Sequence, residues 1–313
     1  MFTDFANVWT IVGAADDLKA GKMLPLTVAG ERVVLFRNPD GTPAALLDRC
    51  PHRGVQLSLG KLCNGMVECP FHGWRFDGSG ANRGVPWNPD AKTEVLGATA
   101  LPVREVVGLL WLFTGHEADG EPQPSPTLTA AGTRTILQSE RWQTHWTRVM
   151  ENMLDMPHLP FVHGGSIGRA LRDKTGERMD VQWTPTETGA LVENVSPDRT
   201  GKTGSLEYRY PNAMELNVSS SDKVFRFISV GVPETATTTR IIFITVRSFN
   251  RSRLFDPLFR WGNRRIARED QAILESSDPF EIPPPGQEKS VRTDAPTLAF
   301  RKIWFERLKG SAA

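Results

Sequence analysis

Apolar residues arrive along this chain in two different rhythms. Up to about residue 115 they come in short runs parted by turn residues. Val33-Val34-Leu35-Phe36 and Ala44-Ala45-Leu46-Leu47 lie on either side of Pro39-Asp40-Gly41. Four-residue apolar runs separated by Pro, Asp and Gly predict buried strands joined by a turn. The run from Val106 to Phe113 predicts one further strand that closes this region. A polar stretch from Glu117 to Pro126, with prolines at 122, 124 and 126, predicts a linker or crossing loop. Beyond it Trp142, Trp146, Val149, Met150 and Met153 recur at helical spacing. Strand-like segments follow at 189–194, 208–219, 225–232 and 240–249. Residues 264–276 read as a helix that starts near Gly262-Asn263 and stops at Asp278-Pro279. Pro283-Pro284-Pro285-Gly286 marks a turn or extended loop, and residues 297–309 predict a last helix, basic at its end. The pattern implies an α+β chain: an all-β N-terminal domain (1–116), a linker (117–129), and a domain of antiparallel sheet flanked by helices (130–313). No internal repeat is visible.

A length of 313 residues gives two such domains ample core. Net charge is +1 with 23% charged residues, so no broad field for nucleic acid or membrane is implied. No apolar run reaches the ~18 residues of a membrane span, and the N-terminal residues carry no secretory pattern. Of three cysteines, Cys63 reads as a buried free thiol. That cysteine usage points to a reducing cytoplasm. Gly78-Ser79-Gly80 with Gly84 superficially suggests a nucleotide loop, but no helical pattern follows, so it reads as ordinary loop glycine. With no nicotinamide or flavin site of its own, the chain would take electrons from another protein.

Cys50-Pro51-His52 and Cys69-Pro70-Phe71-His72 carry the first chemistry, with sixteen residues between His52 and Cys69. Two thiolates and two imidazoles could make a tetrahedral zinc shell. Zinc fingers, however, pair Cys with Cys and His with His, whereas each loop here holds one of each. A [2Fe-2S] cluster suits that division, one iron taking Cys50 and Cys69, the other His52 and His72. Gly54 and Gly73 let backbone N–H groups approach the cluster. Pro51 and Pro70 stiffen the loops, and Trp74 and Phe76 can keep water out.

His158 and His163 form a second cluster, five residues apart around Pro160, two of only six histidines in the chain. Pro157 ends the preceding helix, so these rings need not follow helical periodicity. They could cap a helix end, or could form part of a two-histidine, one-carboxylate ferrous site with positions open to O₂. The carboxylate would be Asp270, within about 60° of Ile266, Ile273 and Leu274 on a helical wheel, whereas Glu269 points about 100° from Asp270. Pairing of Asp270 with Arg264 or Arg265 is the alternative. Met153, Leu154, Ile167, Asn217 and Trp261 are candidate pocket walls, although core packing would account for most. Trp261 sits nine residues before Asp270, on roughly the opposite helix face.

Residues 45–76 resemble the N-terminal domain of Rieske non-heme iron oxygenases. Residues 151–163 resemble that family's N-x-x-D-x-x-H-x₄-H motif through Asn152, Asp155, His158 and His163. The resemblance is weakest over 180–255. It implies a helix-grip-like catalytic domain, a Rieske [2Fe-2S] cluster on Cys50, His52, Cys69 and His72, and one Fe(II) on His158, His163 and Asp270. Glu269 would be the weaker substitute. It also implies that Asp155 links His158 to His72 of a neighbouring subunit. Its length places the chain with the compact homotrimeric members, which hydroxylate or oxidatively O- or N-demethylate small substrates. Electrons would come from NAD(P)H only through a separate reductase, with or without a ferredoxin. A ring-dihydroxylating dioxygenase and a plain electron carrier are the alternatives.

Overall fold

The computed structural model describes residues 1–196, 205–218 and 222–310, so Ser219, expected at the end of a strand, lies outside the described residues. The chain divides into two compact units. One is Met1–Pro124, to which Gly310 also belongs, and the other is Ser125–Lys309.

The first unit is built from short antiparallel strands: β1 (Trp9–Ala14), β2 (Leu24–Val28), β3 (Glu31–Arg37), β4 (Pro43–Leu47), β5 (Lys61–Cys63), β6 (Met66–Glu68), β7 (Arg75–Phe76), β8 (Asn82–Gly84), β9 (Ala100–Leu101), β10 (Val103–Val106) and β11 (Leu109–Phe113). They form three sheets, ordered β1-β11-β10, β2-β3-β4-β9 and β5-β6-β7-β8. The two predicted apolar runs are central in β3 and β4, and they pair with each other. The expected single strand 106–113 is instead a hairpin. Val107 and Gly108 both have positive φ, 51° and 73°, and Val106 faces Leu109. A two-residue turn needs that conformation at both positions. Valine rarely adopts it, which is why the run read as continuous. Cys63 lies at the end of β5, half-buried rather than buried. Gly78-Ser79-Gly80 is a turn between β7 and β8, in which Asp77 accepts from the backbone N–H groups of Ser79 and Ala81.

Among its described residues the second unit holds one seven-stranded antiparallel sheet, composed of β12 (Arg134–Trp142), β13 (Val181–Thr186), β14 (Gly189–Asn194), β15 (Leu206–Arg209), β16 (Ala213–Asn217), β17 (Phe225–Pro233) and β18 (Thr239–Arg247). Its order is β12-β18-β17-β16-β15-β14-β13. The helices are α1 (Trp146–Leu154), α2 (Leu159–Val162), α3 (Asp256–Leu274) and α4 (Ala295–Ile303), the last continuing as a π turn over Trp304–Leu308. None of the described helices is long and apolar enough to cross a membrane. Residues expected in the linker are part of this unit, because the Ser125 and Thr127 hydroxyls donate to the buried Glu215 carboxylate.

Three element boundaries differ from the sequence pattern. Trp142 ends β12 instead of opening a helix. Its spacing of four from Trp146 imitates helical periodicity, while the His145 side chain caps the true start by accepting from the Thr147 N–H. The expected strand 208–219 is split by the turn at Pro211-Asn212. Helix α3 starts two turns early, at Asp256 with Pro257 in its first turn. An acidic residue and a proline both suit a helix N-terminus, and packing overrides the ~1 kcal/mol cost of Gly262.

The register shows what α3 covers. Asn263 Nδ2 donates to Thr245 Oγ1 at 2.7 Å, and Arg260 donates to the Leu137 carbonyl at 2.7 Å. Farther along, Ala267 and Leu274 pack with Trp142, Val149 and Ile241. The helix therefore lies over β12 and β18. Its first turn is fixed by Asp256, which accepts from Arg134 and from fully buried Arg247, whose guanidinium also stacks on Phe259 at 4.2 Å.

Candidate metal centres

The two cysteine-bearing loops share one hydrogen-bond frame. Each cysteine N–H bonds to the carbonyl five residues on, Cys50 to Val55 and Cys69 to Trp74, both at 2.8 Å. The N–H of the glycine four residues on bonds back to the cysteine carbonyl, Gly54 at 2.9 Å and Gly73 at 3.0 Å. Both glycines have positive φ, 72° and 71°, which a side chain would strain. Counting from each cysteine, the histidine is third in one loop and fourth in the other. The His52 and His72 rings come within 4.7 Å, and Trp74 stacks on His52 at 4.6 Å.

Cys50 and Cys69 are buried in an apolar cluster with Phe76, and Trp74 packs against that cluster. Burial pushes the Cys50 thiol up to about 11, and the adjacent Cys69 side chain adds to the rise. Burial, the His72 ring and Arg53 hold His52 below its ordinary value, so its ring is neutral. His52 Nδ1 is buried with no hydrogen-bond partner among the described residues. The neutral His52 imidazole and buried thiols without counter-charge fit a site that takes a cationic cluster.

In the second unit, His158 and His163 bracket the single turn of α2, their rings 5.2 Å apart. Pro157 and Pro160 keep α1 from running on through this turn. Asp270 reaches them from α3, its Oδ1 lying 3.0 Å from His163 Nε2 and 3.7 Å from His158 Nε2. The three donor atoms fall within 4.8 Å of one another. Each Nδ1 is already engaged: His158 donates to the Asp155 carbonyl at 2.6 Å, and His163 donates to Glu269 Oε2 at 2.8 Å. With Nδ1–H committed, each Nε2 presents a lone pair toward Asp270, whose buried Oδ1 has no hydrogen-bond donor among the described residues. Converging lone pairs repel unless a cation or proton lies among them, so the donor set fits a divalent metal. Burial pulls the metal-free His163 imidazole down, but Asp270 and Glu269 outweigh it and hold it above its ordinary value. Glu269, raised by burial but lowered more by Ser166 and His163, stays ionised.

Glu269 is the partner that helical-wheel reasoning missed: a residue 100° from Asp270 can still touch the same ring from its other side. Asp155 ends α1, and its carboxylate is 3.5 Å from His158 Nδ1, farther than its own carbonyl. Asn152 lies in the last turn of α1, where its carbonyl accepts the Asp155 N–H. Of the candidate walls, Met153 packs against the cluster around Trp142, and Leu154 is fully buried beside it in sequence. The other three need correction. Ile167 and Trp261 are more than half exposed, because neither is on a face that packs inward. Asn217 pairs with Arg226, one residue out of step with Leu216 and Phe227, so it stands on the sheet face opposite α3.

Residues 8–97 match the Rieske [2Fe-2S] domain, and residues 142–309 match the vanillate O-demethylase oxygenase C-terminal domain. The chain is 33% identical over 298 residues to the oxygenase component of dicamba O-demethylase from Stenotrophomonas maltophilia, spanning 86% of this chain and 87% of that one. It belongs to the Rieske non-heme iron oxygenases. The solved structure of NdmA from Pseudomonas putida, a methylxanthine N1-demethylase, aligns over 96% of this chain and 89% of that one, with TM-score 0.81 and 25% identity. Chlorophyllide a oxygenase of Chlamydomonas reinhardtii is 33% identical over 166 residues, which is 52% of this chain and 25% of that protein. Members of this Rieske oxygenase family carry a [2Fe-2S] cluster and a mononuclear iron.

Proposed function

We propose that this chain is the terminal oxygenase of a multicomponent system that oxidatively demethylates, or hydroxylates, a small organic substrate. The observation that carries this reading is the convergence of His158 Nε2, His163 Nε2 and Asp270 Oδ1, with both Nδ1 atoms held from behind. The demethylase relatives, matched over most of this chain, favour monooxygenation over ring dihydroxylation. In balanced form, a methyl ether or methylamine R–X–CH₃ plus O₂, two electrons and two protons gives R–XH, formaldehyde and water.

When bound, ferrous iron in such a set supplies open positions for O₂ chemistry. The residues of the chain do the rest. Asp270 balances the charge of the cation. Glu269 and the Asp155 carbonyl fix each histidine in the tautomer that leaves Nε2 free. Burial around His163, which is 1% exposed, limits water at the ring. Cys50, His52, Cys69 and His72 would hold the cluster, and Asp155 would connect it electronically to His158 of another subunit in a homotrimer. A separate reductase, with or without a ferredoxin, would feed the cluster in a reducing cytoplasm.

The test is reconstitution with Fe(II), sulfide and a generic reductase, followed by parallel measurement of O₂ uptake and formaldehyde over a panel of O- and N-methyl probes. Formaldehyde matching O₂, with about three irons per chain, supports the reading. A cis-diol without formaldehyde would move the protein to the dihydroxylases, and about two irons per chain would make it an electron carrier.

A further inference from the structure

The proposed reaction needs something to orient the substrate, and β12 holds a side chain with no other explanation. Along this strand Ile136, Gln138 and Trp142 are buried, whereas Thr135, Ser139 and Arg141 are exposed. The buried positions face α3, as the Arg264–Glu140 pair at 3.2 Å and the Trp142–Ala267 packing require. Gln138 is 8% exposed, and among the described residues neither its Nε2 nor its Oε1 has a hydrogen-bond partner. Leaving both ends of a buried amide unpaired costs several kcal/mol, and an orphan of this kind in a folded protein calls for a partner.

The surroundings locate that partner. Gln138 pairs in register with Phe243, and the next pair on the same face is Ile136 with Thr245, which Asn263 of α3 contacts. In the other direction the same face reaches Trp142, whose buried Nε1 is also without a partner among the described residues. Ala267 and Leu274, which pack on Trp142, flank Asp270 along α3. Gln138 adjoins Leu137, whose carbonyl Arg260 reaches, and precedes Glu140, which Arg264 reaches, so it lies opposite the turn of α3 around residue 261 and on the seam that leads to Asp270, about two and a half helical turns farther along. At 1.5 Å rise per residue this is on the order of 12–14 Å, which an extended glutamine side chain and one substituted six-membered ring span together. Phe243, in register with Gln138, and Met153 pack against the Trp142 cluster and make this seam apolar.

We infer that Gln138 is a specificity-determining residue whose amide pairs with a substrate edge carrying a hydrogen-bond donor and acceptor side by side, as in a lactam. An amide of this kind holds such an edge through two parallel hydrogen bonds, which fixes the ring and aims the opposite substituent toward Asp270. A carboxylate would satisfy only Nε2, and an apolar ring neither atom. This inference rests on the oxygenase reading and sharpens it.

The test uses the reconstituted holoenzyme and three probes: 4-methoxy-2-pyridone, 3-methoxybenzoate and methoxybenzene. Dissociation constants are measured by calorimetry without oxygen, and formaldehyde is then measured on adding oxygen and electrons. The variant is Gln138→Met, which keeps the volume, with Gln138→Leu as a second should the first fold poorly. The wild type should prefer the pyridone, and the variant should lose about tenfold or more on that probe and little on methoxybenzene. The cluster spectrum should be unchanged. Three results overturn the inference: no preference in the wild type, no probe bound at all, or equal losses on all three probes. Pyridone binding that depends on Gln138 without coupled formaldehyde would leave the anchor standing and sink the oxygenase reading. Formaldehyde formed from every probe by both proteins would do the opposite.

Discussion

Glu269 and Asp270, adjacent on α3, approach opposite nitrogens of one imidazole: Glu269 Oε2 lies 2.8 Å from His163 Nδ1, and Asp270 Oδ1 lies 3.0 Å from Nε2. Two neighbouring carboxylates on a helix diverge, and the ring fits between them. Ser166 Oγ donates to the same Oε2 at 2.6 Å, and Arg265 stands 3.9 Å from Oε1, so the Glu269 carboxylate is itself held in place.

The two acids should therefore fail differently. Asp270→Ala should abolish binding of the lone iron while leaving the cluster's colour. Glu269→Ala should weaken iron affinity about 10–100-fold, with Glu269→Gln intermediate because it keeps an acceptor for Nδ1–H. Chelator competition and the ligand-field spectrum of a Co(II)-substituted protein measure both. If Glu269→Ala removes all metal and Asp270→Ala does not, the roles are exchanged.

Asp155 holds His158 through its backbone carbonyl at 2.6 Å. Asp155→Asn should keep that contact, so both metal contents should stay at wild-type levels. Electron arrival at the iron should slow by orders of magnitude, visible in single-turnover reoxidation of the reduced cluster. Wild-type rates in this variant would remove the carboxylate from the electron path.

The start of α3 should make the second unit acid-sensitive. Arg134 first, and Arg247 as well, outweigh burial and hold the Asp256 carboxyl below the usual range. A depressed folded value contributes stability above the ordinary carboxylate value and loses it as pH falls through the folded one. Asp256→Asn should flatten that acid slope in thermal unfolding. At neutral pH it should cost about 3–5 kcal/mol, because Arg247 would keep a buried charge with one partner fewer.

The paired loops should not tolerate substitution equally. A Cβ on Gly73 would come within 3.1 Å of Pro86 Cγ, whereas one on Gly54 would meet nothing within 4 Å. Both changes carry the ~1–2 kcal/mol cost of positive φ. Gly73→Ala should therefore lose cluster absorbance faster than Gly54→Ala in air. Equal decay would mean that Pro86 yields.

How far the sequence could be read depended on range. The cysteine and histidine loops are local, so their spacing alone pointed to a cluster, whereas the H-x₄-H turn left a helix cap equally open until the family resemblance was added. Asp270 could be singled out across more than a hundred residues because its own helix is amphipathic. Glu269 could not be given its role, since a wheel records direction from one helix and not what waits on the neighbouring one. Val107-Gly108 hid a turn inside an apolar run, and Trp142 imitated a helical repeat across a strand end. Asn217 was misjudged because the face of a strand is fixed by pairing, and register with β17 is not written in either strand alone. Gln138 gave no signal at all, as a lone amide in a strand becomes unusual only once burial leaves it without partners.

Helix α3 is pinned at both extremities, by Asp256 against Arg247 at its beginning and by Asp270 beside the two histidines near its end. The turns in between are held by single contacts instead, Arg260 to the Leu137 carbonyl, Asn263 to Thr245 and Arg264 to Glu140. A beam clamped in this manner lets the side chains along its middle, and those of β12 beneath it, drift through mutation while the reactive end keeps its alignment. Diversification of what the enzyme accepts is thereby separated from preservation of how it reacts.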